Sequence, residues 1–297
     1  MTESATPLAA TLARLDAADP YCDPTAGTPV GERWTRIQDL LDDQSVLRRW
    51  FEGLSGESNG VPDVAASYLA SWLGGIVLDP IGWALGVERR AWPLDPASLW
   101  IHRHEDGWFD GFAVAAQQVR MLPDDPAAGH PDAVVVADVD ALRAGVAGDA
   151  VAVLGPLFAS VRSFAPFGVR GMWGAVADSL GSSAAIAAFR AGRPARPAFD
   201  EAMRIVEGLV AAGAGRITRP TPEQVRWARG TTTVVHKGTC CLWYKTTDVS
   251  APIGERYCLS CPLQPGADQH ERWVTWLDAE AVAASGDAVG AAGDVEH

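Results

Sequence analysis

The chain has 297 residues, 48% hydrophobic and 21% charged, enough to bury a sizeable core as one large domain or two smaller ones. Its 24 basic and 37 acidic residues leave a formal charge of −13. That excludes a general phosphate-backbone binder, which needs clustered Lys and Arg, so no nucleic-acid partner is expected; an acidic surface draws cationic partners instead.

The opening "MTESATPLAATLARLDAADP" has no basic stretch ahead of a long apolar run, so the expected location is cytoplasmic. Residues 1-30, rich in Ala, Pro, Thr and Gly, read as a mobile segment with a short helix near Leu12 to Leu15. Trp34, Ile37, Leu40 and Leu41 predict a helix beyond Gly31. Ser45 is the expected cap of a second one, carrying Val46, Leu47, Trp50, Phe51 and Leu54, and Gly56 to Gly60 breaks it. The apolar run from Val64 to Leu78 falls short of the roughly twenty residues that span a bilayer. It reads as a buried core helix from Pro62 that ends near Asp79-Pro80, with peripheral membrane contact as the alternative.

The period then changes. Leu99 and Ile101 alternate with Trp100, His102 and His104, and Asp106-Gly107 precedes "WFDGF", a hairpin pattern. Val134 to Val136 predicts a short strand, and Ala141 to Val161 a long buried helix kinked or broken at Gly155-Pro156. Met172, Trp173, Val176, Ala177 and Leu180 share one face of a helix from Val169. Another follows Pro197, using Met203, Ile205, Val206 and Leu209. Two prolines in "ITRPTPEQ" mark a loop and a domain boundary. "TTTVVHK" and "LWYKTT" have strand composition, and "DQHERWVTWLDAEAVAA" makes a closing helix. The expected fold is α+β, predominantly helical with a central β-hairpin and a small C-terminal cysteine module. Its expected segments are 1-30, mobile; 31-222, mostly helical; 223-285, the cysteine module; and 286-297, a disordered tail.

Four of the five cysteines, Cys240, Cys241, Cys258 and Cys261, form an adjacent pair, a sixteen-residue gap and a C-x-x-C. Three chemistries compete for them. A structural zinc site wants four tetrahedral ligands, and an adjacent pair on a strand would point to opposite faces. A dithiol switch at Cys258 and Cys261 lacks the βαβ setting of such motifs and leaves the other pair unexplained. A [2Fe–2S] cluster needs two thiolates on each of two irons, so it is wider and relaxes the demand on the adjacent pair. Pro262 would help fix the loop, and Trp243, Tyr244 and Tyr257 could wall the site from water. The cluster is the favoured reading.

"CCLWYK" followed by "CLSCP" resembles the C-terminal signature of the FhuF-like ferric siderophore reductases. "VRGMWGAVAD" (Val169 to Asp178) is similar to an internal Arg-x-x-Trp-Gly stretch of that family. The gap between the cysteine pairs is longer here than in the family's best-known members, by a Pro- and Gly-containing insertion in "TTDVSAPIGER". The resemblance implies a [2Fe–2S] cofactor on Cys240, Cys241, Cys258 and Cys261, and an oxidoreductase that reduces the ferric iron of a siderophore. The acidic balance favours a cationic ferric hydroxamate over an anionic catecholate. No Gly-rich dinucleotide fingerprint is present, so the electron is expected from a donor protein or a soluble reductant. The rival functions are a non-enzymatic electron carrier or redox sensor, and a siderophore-binding protein with structural zinc.

Other residues carry weaker expectations. Arg170 and Trp173 would hold substrate or brace the cysteine module. His102 and His104 would line the siderophore pocket or, with Glu105, begin a mononuclear metal site. His236 is read as exposed or as a neighbour of the ligands, Lys245 as a basic residue near the cluster, and Cys22 as a lone surface cysteine.

Overall fold

A computed structural model describes residues 5–18, 23–57, 60–246, 250–264 and 266–284. Cys22 and the tail beyond 284 lie outside them.

The centre of the molecule is a packet of long helices. Helix α4 (Pro62–Glu88) packs against α6 (Val169–Arg190), α6 against α7 (Ala195–Leu209), α7 against α5 (Val139–Phe164), and α5 back against α4. Leu69, Leu73, Leu78, Ile81, Leu142, Val146, Leu154, Leu157, Trp173, Leu180, Ile205 and Leu209 are buried in one continuous core. Both α4 and α5 are long and apolar enough to cross a membrane, but most of the α4 window and half of the α5 window are covered by protein.

Two expected breaks are absent. α4 runs through Pro80 and α5 through Pro156. Proline inside a helix costs about 3 kcal/mol. Leu78 and Ile81 beside the first, and Leu154 and Leu157 beside the second, are fully buried. Such side chains contribute roughly 1.5–3 kcal/mol each, so packing outweighs the lost backbone bond.

The short helix expected near Leu12 to Leu15 is present and longer. α1 (Pro7–Ala18) buries Leu8, Leu12 and Leu15 in the main core, and β1 (Asp23–Ala26) pairs in parallel with β5 (Phe109–Val114). Trp34, expected in a helix, lies in β2 (Trp34–Arg36), which leads directly into α2 (Ile37–Asp42). α3 (Gln44–Glu57) begins before Ser45. Its cap is Asp43, whose carboxylate accepts the Ser45 N–H (2.9 Å) and hydroxyl (2.9 Å).

The central hairpin is as expected: β4 (Leu99–Arg103) and β5 are antiparallel around a turn in which Gly107 has φ +96°. With β1 and β2 they form a sheet of order β1-β5-β4-β2. A second sheet joins β3 (Arg90–Ala91), β6 (Val119–Met121) and β7 (Ala133–Val135), the last matching the short strand expected there.

At the C-terminal end, β8 (Thr221–Trp227) and β9 (Gly230–His236) form a hairpin covered by α8 (Gly266–Ala284). Pro222, read as loop, is inside β8, a strand with a single paired neighbour, where a missing N–H is tolerated. "LWYKTT" is not a strand: Trp243–Lys245 is a 3-10 turn. Val225, Val234, Trp273 and Leu277 make a small core of their own beneath this hairpin. The architecture is mixed α+β and mostly helical.

Candidate functional site: a nest of four thiols

The cysteines lie in two loops, one leaving β9 and set against α6 and the first half of α4, and one leading into α8. The objection that neighbouring thiols diverge on a strand does not apply, because Cys240 and Cys241 are past the end of β9. Leu242 adopts a left-handed conformation (φ 65°), which costs a non-glycine residue roughly 1–3 kcal/mol. It turns the chain sharply, so that the Leu242 N–H points back at Cys240 Sγ (3.4 Å) and the Trp243 N–H at Cys241. On the second loop the Cys261 N–H donates to the Cys258 carbonyl (3.0 Å), and the Leu263 N–H faces the Cys261 sulfur.

The sulfurs meet across the two loops. Cys241 and Cys258 are 3.8 Å apart. Cys240 is in hydrogen-bonding reach of Cys261, and Cys261 of Cys258. The contacts therefore run 240–261–258–241, with the two sequence neighbours at opposite ends. Among the described residues no group of three or more His, Cys, Asp or Glu side chains is placed to hold a metal ion.

Mutual hydrogen bonding divides the thiols. Cys258 accepts from Cys241 and Cys261 and is held far below the ordinary thiol value. Cys240, facing Cys261, is pulled down to about 7. Cys241 and Cys261 are raised, chiefly because each hydrogen-bonds to a neighbouring sulfur. Two sites thus present thiolates readily, and a metal would displace the protons of the other two.

The loop before Cys240 is clamped to α6. Asp178, buried, accepts the N–H groups of Gly238 (2.7 Å) and Thr239 (2.9 Å). A Cβ on Gly174 would strike the Thr239 hydroxyl, and one on Gly238 would strike the Arg219 carbonyl. Gly238→Ala is therefore expected to displace this loop and lower both the melting temperature and the metal retained after desalting, by roughly 1–3 kcal/mol in stability. An unchanged melting curve and metal content would show that the loop does not need this close approach.

The second loop is tied to α8. Gln269 donates to the carbonyls of Cys261 (2.9 Å) and Leu259 (3.2 Å), and Arg272 donates to Tyr257 O (2.8 Å) and to the Gln264 side chain (2.8 Å). The aromatics of the cysteine loops are half-buried. Trp243 meets Tyr68 of α4 edge-on (5.8 Å), and Tyr244 meets Tyr257 (5.8 Å). The Tyr68 hydroxyl is in reach of the Cys241 sulfur, and burial beside the thiols raises its pKa.

The remaining sequence candidates fall elsewhere. Trp173 is buried edge-on against Phe158 (5.0 Å) and belongs to the core. Arg170 is exposed and reaches Thr218 (3.4 Å), whose methyl group lies near Gly238; it braces the neighbouring loop. His102 pairs with Asp110 (2.6 Å) and stacks obliquely on Trp34, while His104 lies in the hairpin turn against Trp108 (4.7 Å). Both are engaged within the hairpin, and with Glu105 they form no metal cluster. His236 shares Glu223 with His270. Lys245 forms an ion pair with Asp63 at the start of α4.

Sequence reading missed Asp178, Tyr68 and Lys237. Asp178 had a signal, being an acid on the otherwise apolar buried face of α6. Lys237 lies three residues before Cys240 and electrostatically engages all four cysteines. A cavity of about 610 Å³ between the later halves of α4 and α6 and the start of α7 includes no cysteine in its lining.

No family profile and no curated protein matches this chain.

Proposed function

We propose that the chain is a ferric-siderophore reductase whose four cysteines hold a [2Fe–2S] cluster. The observation that carries the reading is the convergence of Cys240, Cys241, Cys258 and Cys261 as a string of sulfur contacts with N–H groups aimed at three of them. An extended donor set suits a binuclear centre, and N–H···S bonds stabilise thiolate ligands and tune their potential. The motif's resemblance to the FhuF-like reductases supplies the substrate class.

Bound there, the cluster supplies one electron at a time. The residues around it position and shield: Asp178 and Gln269 hold the two loops, while Tyr68, Trp243 and the Tyr244–Tyr257 pair limit water. Siderophore oxygens hold ferric iron more tightly than ferrous iron, so one-electron reduction loosens the metal without any nucleophile or proton donor. The electron comes from a donor protein or a soluble reductant.

An anaerobic visible spectrum of the purified protein tests this reading. Absorption that bleaches with reductant and returns on adding ferrioxamine is the expected result. A cluster that reduces but ignores every ferric siderophore would instead indicate a carrier or sensor, and a colourless zinc protein would overturn the redox account. Given the charge of −13, ferrioxamine is expected to outcompete a ferric catecholate. Preferential reduction of the catecholate would refute that choice of substrate.

A further inference from the structure

We infer that the cavity of about 610 Å³ at the far end of the helical packet is a binding site for a small organic anion with an apolar body. It lies where α4 and α6 end and α5 and α7 begin. Trp83, in its wall, is about four turns of α4 beyond Tyr68, roughly 22 Å along a helix. The site is therefore separate from the thiol nest, and the inference does not depend on the cluster reading. Its size falls within the roughly 300–1,000 Å³ of small-molecule pockets.

Trp83, Gly86, Ala184, Ala187, Pro194 and Pro197 give the walls their small or hydrophobic surface, and a Cβ added to Gly86 would meet nothing within 4 Å. The charge is cationic, in a chain whose formal charge is −13: Arg89, Arg143, Arg193 and Arg204 line the cavity with two carboxylates, Asp200 and Glu201. Both carboxylates are taken. Glu201 receives Arg143 through two bonds (2.6 and 2.5 Å) and Arg204 through one (3.2 Å), and Asp200 pairs with Arg196 (2.8 Å). A cationic ligand would have to break those pairs. The Arg193 side chain, by contrast, has no hydrogen-bond or ion-pair partner among the described residues, while its N–H is fixed to Ala188 O (2.8 Å) beyond the end of α6. Arg89 pairs with Asp124 (3.0 Å), but both side chains are more than half exposed, so the pair is weak and leaves donors free. Two helices end here and two begin, so their dipoles oppose one another and the guanidinium groups set the sign. A guanidinium fork suits a carboxylate, sulfonate or phosphate ester. An anionic bilayer suits the site less, because the site is concave and the acidic chain repels such a surface.

The test is calorimetric titration of the purified full chain with decanoate, decanol and decyltrimethylammonium, each below its solubility or micellar limit. Decanoate should bind saturably at one site, about tenfold more tightly than decanol, as expected for one charge-assisted hydrogen bond, and the cation should not compete. Gly86→Leu places a side chain in the open space of the cavity and should abolish decanoate binding; circular dichroism checks its fold. Arg193→Gln should bring decanoate down to the affinity of decanol. Decanoate affinity unchanged by Gly86→Leu would put the ligand elsewhere and overturn the site. Should that variant fail to fold, Arg193→Gln decides, and unchanged affinity there overturns it. Equal binding of decanoate and decanol would overturn the anionic assignment. Absence of saturable decanoate binding would overturn the inference as a whole, and sedimentation with phosphatidylglycerol vesicles in that case would assign this face to a bilayer.

Discussion

Cys258→Ser is expected to yield a folded chain without visible absorption and with ferrioxamine reduction reduced roughly hundredfold, the upper end of what disturbing a metal site costs. Cys258 is the thiol with the most to lose. It contacts both Cys241 and Cys261, and it is the most acidic of the four because both donate to it. Lys237 and Arg272 add their positive charges. Serine offers a shorter, harder oxygen at a position where the neighbouring thiols have arranged themselves around sulfur. The fold should survive, because the cysteines lie outside the main helical core. Iron content, the visible spectrum and circular dichroism measure the three parts of this expectation. A Cys258→Ser protein with full colour and turnover would remove this residue from the ligand set. A protein that never carried iron, in either form, would remove the cluster.

The second large effect is expected at Asp178. Asp178→Ala leaves the N–H groups of Gly238 and Thr239 without their acceptor in the contact between α6 and the first cysteine loop. Each such bond to a carboxylate contributes about 1.5–3 kcal/mol, and relief of a buried charge offsets part of the loss. A net destabilisation of about 2–3 kcal/mol is expected, with cluster retention falling alongside it; chemical denaturation and iron analysis measure both. A change below about 0.5 kcal/mol, the usual range for an ordinary surface substitution, would mean that the clamp contributes nothing.

The pH dependence has a definite sign. Burial raises the Asp178 carboxyl to about 7, against the opposing pull of the two N–H bonds and Lys237. The folded chain therefore keeps this proton to higher pH than the unfolded chain, so the group's contribution is fully present below the ordinary value of 3.8 and is lost as pH rises towards 7. Asp178→Asn should flatten that part of the stability profile. A slope unchanged by the substitution would assign it to other groups.

Much of this molecule was legible because it depends on local periodicity. The faces of α6 and α7, the Asp106-Gly107 hairpin and the closing helix α8 all follow from spacing and turn chemistry along a single segment. The four cysteines likewise stand out by their spacing, and the structure brings their sulfurs together. The misread elements share another cause. Pro80 looks like a helix end and Pro156 like a kink or break until neighbouring helices bury the residues around them, and the helix near Leu12 to Leu15 looks short until the main core covers Leu8 as well. Trp34 joins a strand because His102 of β4 lies opposite it in the sheet.

The division is the same at the site. Sequence by itself determined which thiols are available, since side-chain chemistry and spacing are carried by the chain. Only the tertiary structure decided that Cys240 faces Cys261 while Cys241 faces Cys258, that Lys245 pairs with Asp63, and that Trp173 belongs to the core. Those outcomes depend on contacts between segments far apart in the chain, such as Asp178 with Gly238, and on which surfaces packing removes from water.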